Sequence, residues 1–208
     1  MMHAHSAPSA GFWSLTLMWF GMMAAMMAPT VWPWVRSVHH FSGRDSVSRL
    51  VSTGQFVAGY LLAWLAYSAA AALLQLSLAE LGVVDHLVGM TSSAGAAVFA
   101  LAGVYQFVPL KRACLTHCRT PLAYFLTRWR NGPTGVFRMG LDHGLYCVGC
   151  CWALMTTALA VGVMNLWWMA ALAAVALLEQ VAPYGPTLRR PLGVAMLVAG
   201  IWRFAMGS

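Results

Sequence analysis

The sequence predicts an all-α membrane protein: a polytopic bundle of about six transmembrane helices with a basic cytoplasmic hairpin between helices three and four. Its 208 residues are 61% hydrophobic and only 8% charged, and the mean hydropathy is +0.71. A chain with so few charged residues lacks the polar surface that a soluble globule needs. The whole chain, residues 1–208, is therefore expected to form a single integral membrane domain.

Six stretches are each long enough to cross a hydrocarbon layer of about 30 Å. In chain order they are Phe12 to Trp34, Gln55 to Leu78, Val88 to Leu110, Leu145 to Val163, Leu166 to Ala182 and Pro191 to Met206. The small polar residues that dilute the start of the third would let a neighbouring helix approach closely. Helix one is expected to stay in the mature protein, because no positively charged n-region precedes it.

Basic residues orient the predicted bundle. Eleven of the twelve lie in alternate loops, at Arg36, Arg44, Arg49, Lys111, Arg112, Arg119, Arg128, Arg130, Arg138, Arg189 and Arg190. The positive-inside rule places these loops in the cytoplasm and both termini outside it, as expected for a multi-pass protein of the bacterial inner membrane. This orientation explains the net charge of +7, and no nucleic-acid surface is predicted, since no basic run is interleaved with stacking aromatics.

The longest segment outside the predicted spans, about residues 111–144, is basic and punctuated by Pro121, Gly132, Pro133 and Gly135. It is expected to lie at the membrane interface as a hairpin, with a short amphipathic helix from Leu122 to Trp129. This hairpin is also the predicted metal-binding loop.

All five cysteines lie in two short windows that also hold a histidine each. The windows read C-L-T-H-C and H-G-L-Y-C-V-G-C-C and contain Cys114, His117, Cys118, His143, Cys147, Cys150 and Cys151. On a helix, the three donors of the first window share a face, and His143, Cys147 and Cys151 follow one another at i+4 spacing. The predicted topology brings both windows to one cytoplasmic edge. Thiolate with imidazole favours a transition metal, Cu(I) first, with Zn(II) or an iron–sulfur cluster as alternatives.

Other interpretations of these cysteines stay open. Free cysteines are often small buried packing groups, although confinement of all five to two windows favours metal or thiol chemistry. The C-V-G-C run also makes Cys147 and Cys150 a candidate redox pair. A reducing cytoplasm disfavours a permanent disulfide but permits a transient one.

Three acidic or amide side chains near the windows have competing explanations. Asp142 is either an acceptor that orients the ring of His143 or a solvated carboxylate. Glu179 and Gln180 lie near the inner end of helix five, where snorkelling or an ion pair with the arginines that follow accounts for them.

Helix one carries a methionine-rich run, W-F-G-M-M-A-A-M-M-A-P. Its four central methionines, in two pairs at i+4 spacing, are Met22, Met23, Met26 and Met27. A thioether stripe suits Cu(I), while core packing is the competing interpretation. With His3 and His5 at the N-terminus, the stripe outlines a route from an external capture point to the internal thiols.

Three long and unusual motifs lie between the predicted helix one and the predicted helix four. They are M-M-A-A-M-M-A-P from Met22 to Pro29, Y-Q-F-V-P-L-K-R-A-C-L-T-H-C-R-T-P from Tyr105 to Pro121, and M-G-L-D-H-G-L-Y-C-V-G-C-C-W-A-L-M from Met139 to Met155. In these motifs the chain resembles a bacterial family of predicted metal-binding integral membrane proteins, a domain of unknown function. The resemblance implies a small multi-pass protein with a metal site at the seven cysteines and histidines, and it leaves the activity open.

Three functional hypotheses follow. The first is a copper-handling protein that moves Cu(I) through the membrane past the methionines or passes it to a partner such as a metallochaperone. The second is a membrane thiol redox protein or sensor that uses Cys147 and Cys150. The third is an accessory or assembly subunit of a larger membrane enzyme complex, stabilised by the metal. The chain shows no hydrolytic triad and no phosphate-binding glycine loop, which disfavours an enzyme.

Overall fold

A computed structural model describes residues 8–42, 46–85, 89–130, 132–162 and 165–207. Nearly all of these residues belong to the helices α1 Pro8–Phe41, α2 Ser46–Glu80, α3 Ser92–Tyr105, α4 Pro109–Cys118, α5 Pro121–Arg128, α6 Pro133–Val161, α7 Leu166–Val181 and α8 Gly185–Gly207. Between α2 and α3, the two-residue strands β1 (Val84–Asp85) and β2 (Gly89–Met90) pair in antiparallel fashion. The predicted all-α class is confirmed for the described part of the chain.

Three of the described helices are long and apolar enough to cross a membrane, namely Gly11–Phe41, Ser46–Glu80 and Thr134–Val161. A fourth crossing is obtained if α3 and α4 are counted together, although they meet at a bend of 68°. The helix α7 is apolar but has only 16 residues. The six spans, the orientation and the interfacial hairpin stay predictions.

The predicted third span, Val88 to Leu110, is interrupted in the structure. The helix α3 ends at Tyr105, and α4 begins at Pro109. Because the ring of a proline clashes with helical backbone at the residue before it, Val108 is extended, with φ −66° and ψ 135°. The chain turns by 68° here, so the first cysteine window lies on a short separate helix.

The helix α6 begins at Pro133 instead of the predicted Leu145. Pro133 occupies the first turn, where its missing N–H would have no helical partner in any case. Gly132 precedes it with φ 84°, a left-handed conformation that glycine adopts without steric cost. His143 therefore lies inside a long helix, and most of the predicted loop of residues 111–144 is helical. The helix α5, Pro121–Arg128, coincides with the short helix predicted in that segment.

Small residues bring α2 and α6 into close contact. Gly140 lies against the backbone of Phe56, so that a Cβ at position 140 would collide with it. One turn later on α6, Gly144 faces Ala63. Both helices thus present small residues four positions apart, Gly59 with Ala63 and Gly140 with Gly144, a pattern that lets helix backbones approach closely. This contact fixes the distance between α2 and the cysteines of α6.

The helix α1 buries one continuous stripe against α2, α5 and α7. The buried positions recur every three or four residues, as helical geometry requires. They are Thr16, Trp19, Met23, Met26, Met27, Thr30, Trp34 and Val38. The methionine-rich run therefore faces the interior of the bundle.

Candidate metal centre

Three cysteines of α6 form a compact group, named here the sulfur cluster. The Sγ atoms of Cys147, Cys150 and Cys151 all lie within 4.8 Å of one another. Helical geometry alone creates this group, because positions i, i+3 and i+4 share one face. All three side chains are buried. They form a set of soft donors shielded from water, which is suited to a soft metal ion.

The bent helix α4 brings two more thiols to the same place. The Sγ atom of Cys118 lies 4.0 Å from that of Cys150. Cys114 lies against Gly149, where an added Cβ would be 3.0 Å from the Cys114 Sγ. The glycine of the C-V-G-C run therefore makes room for a cysteine of α4. All five cysteines are free thiols, and the structure brings the two windows together.

Polar groups of two other helices border the sulfur cluster. The hydroxyl of Tyr60 on α2 lies 3.5 Å from Sγ of Cys147, and the Cys147 thiol donates to Oε1 of Gln180 on α7 at 3.7 Å. The thiols of Cys150 and Cys151 donate to the carbonyl oxygen of Cys147 at 3.1 and 2.8 Å. Each thiol of the cluster thus has a hydrogen-bond acceptor in its protonated state. Sequence reasoning missed Tyr60 and gave Gln180 an interfacial position.

The two histidines are not part of the sulfur cluster. Among the described residues, the group of His, Cys, Asp and Glu ligand atoms that lie close to one another contains cysteines only. His143 stacks on Trp34 with ring centroids 3.8 Å apart, and His117 stacks on Tyr146 at 3.9 Å. The two imidazole centroids are 6.3 Å apart. The predicted set of seven converging donors therefore separates into a thiol group and an imidazole pair.

Asp142 does not orient the ring of His143. Both ring nitrogens of His143 are buried and lack a hydrogen-bond partner within the described part of the chain. The carboxylate of Asp142 is half-buried on the neighbouring position of α6. Of the two sequence interpretations of Asp142, orientation of the imidazole is therefore wrong.

Trp34 of α1 contacts both rings of the imidazole pair. Sequence reasoning did not identify it. Tryptophan is common at membrane interfaces, but this side chain is only 1% exposed. Its Nε1–H donates to the carbonyl oxygen of Cys118 at 2.9 Å, at the C-terminal end of α4. The available signal was its position seven residues after Met27, on the same helical stripe.

The methionines of α1 share the interior with the cysteines. Met23, Met26 and Met27 are buried in the same continuous core as all five cysteines, and Met22 packs against this core. The hydroxyl of Thr30 lies 3.9 Å from Sδ of Met27. This placement is compatible with packing and with weak ligation alike. His3 and His5 lie outside the described residues.

A buried ion pair joins the helices on either side of the sulfur cluster. Nζ of Lys111 on α4 lies 2.7 Å from Oε2 of Glu179 on α7, and the side chains are 1% and 2% exposed. Arg119 also donates to the carbonyl oxygen of Glu179 at 2.8 Å. Glu179 therefore lies in the interior, and its ion-pair partner is Lys111 instead of the arginines that follow helix α7.

Comparison with known proteins is consistent with metal handling. A protein-family model described as a copper chaperone matches residues 16–203, which include both cysteine windows and the methionines of α1. No curated protein and no solved structure matches the chain.

Proposed function

Since the chain belongs to the PpoB2 family of copper chaperones, we propose that it binds Cu(I) at the sulfur cluster and passes the ion to a partner protein at the bacterial inner membrane. One observation carries the proposal: three buried Sγ atoms lie within 4.8 Å of one another. Thiolates and thioethers are the ligands that soft Cu(I) prefers over the hard oxygen donors that bind Mg(II) or Ca(II).

Binding requires the thiols to lose their protons, because cysteine ligates metals as a thiolate. The side chain of Gln180 can hydrogen-bond to Cys147 in both its thiol and its thiolate state. Its Oε1 accepts a hydrogen bond from the Cys147 thiol, and its Nε2 is buried without a partner among the described residues. A half-turn of the amide presents Nε2 as a donor to the Cys147 thiolate. The hydroxyl of Tyr60 supplies a second donor to the same sulfur.

Release of the ion starts at α4. Cys118 lies 4.0 Å from Cys150 and supplies a fourth sulfur, which takes over the ion as one cluster thiolate leaves. Ligand exchange of this kind keeps Cu(I) bound to sulfur throughout. The helix α4 that carries Cys118 is 10 residues long and is separated from α3 by a bend of 68°.

The methionines of α1 extend the soft donors beyond the thiols. Met23 and Met27 are fully buried and lie one turn apart on the stripe that faces the core. Thioethers bind Cu(I) more weakly than thiolates and favour exchange. Passage of Cu(I) along this stripe through the membrane is therefore part of the proposal.

Copper analysis of the purified full-length protein, loaded with Cu(I) under anaerobic conditions, tests the proposal. The triple variant Cys147→Ser/Cys150→Ser/Cys151→Ser is expected to lose the thiolate-bound ion, because hydroxyl oxygen is a poor ligand for Cu(I). Circular dichroism of the same sample checks that the helices persist. If the folded triple variant retains wild-type copper, the proposal is wrong.

The position of Cys118 supports a second candidate function, that of a thiol redox protein. Cys118 and Cys150 lie on different helices with sulfurs 4.0 Å apart, and a disulfide of about 2.0 Å needs only a small shift. The two thiols would pass two electrons and two protons to a disulfide oxidant. The pair predicted from sequence, Cys147 and Cys150, lies instead within one turn of α6.

Thiol trapping followed by mass spectrometry distinguishes the two candidates. A redox function predicts a reversible Cys118–Cys150 disulfide that persists in Cys147→Ser and disappears in Cys118→Ser. If oxidised glutathione produces no such cross-link in wild-type protein, the redox function is excluded.

A further inference from the structure

His143 is buried in a way that hydrogen bonding within the protein does not explain. It is 1% exposed, and neither ring nitrogen has a partner in the described part of the chain. A neutral imidazole always carries one N–H and one bare nitrogen, and burial of both without partners is costly. The ring is held between aromatic faces, with centroids 3.8 Å from Trp34, 5.6 Å from Tyr60 and 6.0 Å from Phe56. These contacts fix the ring and satisfy neither nitrogen.

His117 places a second imidazole beside the first. Its Nε2 is also buried without a partner among the described residues, while the residue as a whole is only half-buried. Its ring stacks on Tyr146 at 3.9 Å and on Trp34 at 5.5 Å. The imidazole centroids of His117 and His143 are 6.3 Å apart. An ion held by two imidazoles with metal–nitrogen bonds of about 2 Å needs centroids about 6 Å apart.

We propose that His117 and His143 form a second Cu(I) site, distinct from the sulfur cluster, in which two ring nitrogens hold the ion beside Trp34. This inference rests on the proposed function, since it takes Cu(I) as the cargo. The indole of Trp34 stacks on both imidazoles, which orients them and offers the ion an aromatic face. The site gives a partner to one buried nitrogen of each ring.

The two sites differ in the charge that binding creates. Neutral imidazoles bind a cation without releasing protons, whereas thiols must ionise first. The imidazole pair is therefore the weaker site, and it connects to the surface through the half-buried His117. The sulfur cluster is the stronger and fully buried site.

Two helices connect the sites, because each of them carries one imidazole and at least one nearby thiol. His143 precedes Cys147 by one turn of α6, and His117 immediately precedes Cys118 on α4. The hydrogen bond from Trp34 to the carbonyl oxygen of Cys118 holds the end of α4, with His117 and Cys118, in place. Ligand exchange along these two helices would pass an ion from the imidazoles to the thiols, which makes the imidazole pair an entry site for the sulfur cluster.

Cu(I) titration combined with X-ray absorption spectroscopy of the full-length protein tests the second site. Wild-type protein is expected to bind two equivalents, with both nitrogen and sulfur scattering. The variant His117→Phe/His143→Phe keeps the aromatic stacking and is expected to lose one equivalent and the nitrogen scattering. The triple serine variant of the sulfur cluster is expected to lose the sulfur scattering and retain a nitrogen-bound ion.

The matched control is His39→Phe/His40→Phe, which changes an exposed histidine pair at the end of α1 and is expected to retain both equivalents. A single equivalent with mixed ligands, removed by either site variant, overturns the two-site arrangement. Unchanged nitrogen scattering in His117→Phe/His143→Phe overturns the role of the imidazoles. Loss of nitrogen scattering with sulfur-bound copper retained supports the second site, and copper-free wild-type protein contradicts the proposed function as well.

Discussion

Nζ of Lys111 lies 2.7 Å from Oε2 of Glu179, with both side chains shielded from solvent. The pair joins α4, which carries two of the thiols, to α7, which carries Gln180. A buried ion pair adds little net stability over apolar residues of the same size, but it is costly to break one-sidedly. The pair therefore holds two sides of the sulfur cluster at a fixed separation.

Replacement of one partner should be far more harmful than replacement of both. Lys111→Met leaves the Glu179 carboxylate buried and unpaired, which is expected to cost about 3–5 kcal/mol of unfolding free energy. Lys111→Met/Glu179→Leu removes both charges and should recover most of this loss. Denaturant unfolding in detergent measures the difference. A double variant no more stable than the single one would contradict the interpretation.

The contact between α2 and α6 should tolerate no side chain at Gly140. Gly140→Ala places a methyl group against the Phe56 backbone and forces the helices apart. Overpacking of this kind is expected to cost about 1–3 kcal/mol, with a lower melting temperature and weaker copper binding. Gly54→Ala is the matched control, because a Cβ there has nothing within 4 Å. Equal effects of the two substitutions would show that the close contact is unimportant.

Trp34 should contribute more to stability than any exposed tryptophan. Trp34→Leu removes its stacking on the imidazoles and its hydrogen bond to Cys118. By analogy with other large-to-small core substitutions, we expect a loss of about 3 kcal/mol, together with weaker copper binding. Trp167→Leu serves as the control, since that side chain is 88% exposed. Thermal unfolding and copper content distinguish the two variants.

Gln180 should tune copper affinity without ligating the ion. Gln180→Leu removes the amide that contacts Cys147. Loss of such a supporting group typically weakens metal binding about 10–100-fold. Competition with a chromogenic Cu(I) chelator measures the affinity. Leu178→Ala, at a partly exposed position on the same helix, should leave it unchanged. Wild-type affinity in Gln180→Leu would remove Gln180 from the site.

Local patterns predicted the features that depend on local geometry. The helical class followed from composition, and the shared face of Cys147 and Cys151 followed from i+4 spacing. The bend before α4 was missed because Pro109 was included in a continuous apolar stretch, although proline restricts the residue that precedes it. The early start of α6 is not predicted when Pro133 is taken as a loop residue, although proline is also favoured in a first helical turn.

The remaining features depend on contacts between distant segments. Trp34 meets His143 only because α1 and α6 both pack against α2. Nothing in either local pattern specifies the rotation of the two helices relative to each other. The rule for basic loops places Lys111 at the membrane interface. Its partner Glu179 is 68 residues away, so the buried pair was not visible in local spacing.

The three thiols of α6 fall within five consecutive residues, so one helical turn sets their separation. Helical turns form within microseconds, whereas contacts between remote segments form later. Tyr60 and Gln180 reach Cys147 from 87 and 33 residues away. The spacing of the three thiols is thus set by the geometry of α6 alone, whereas the groups that border Cys147 depend on the packing of α2 and α7 around it.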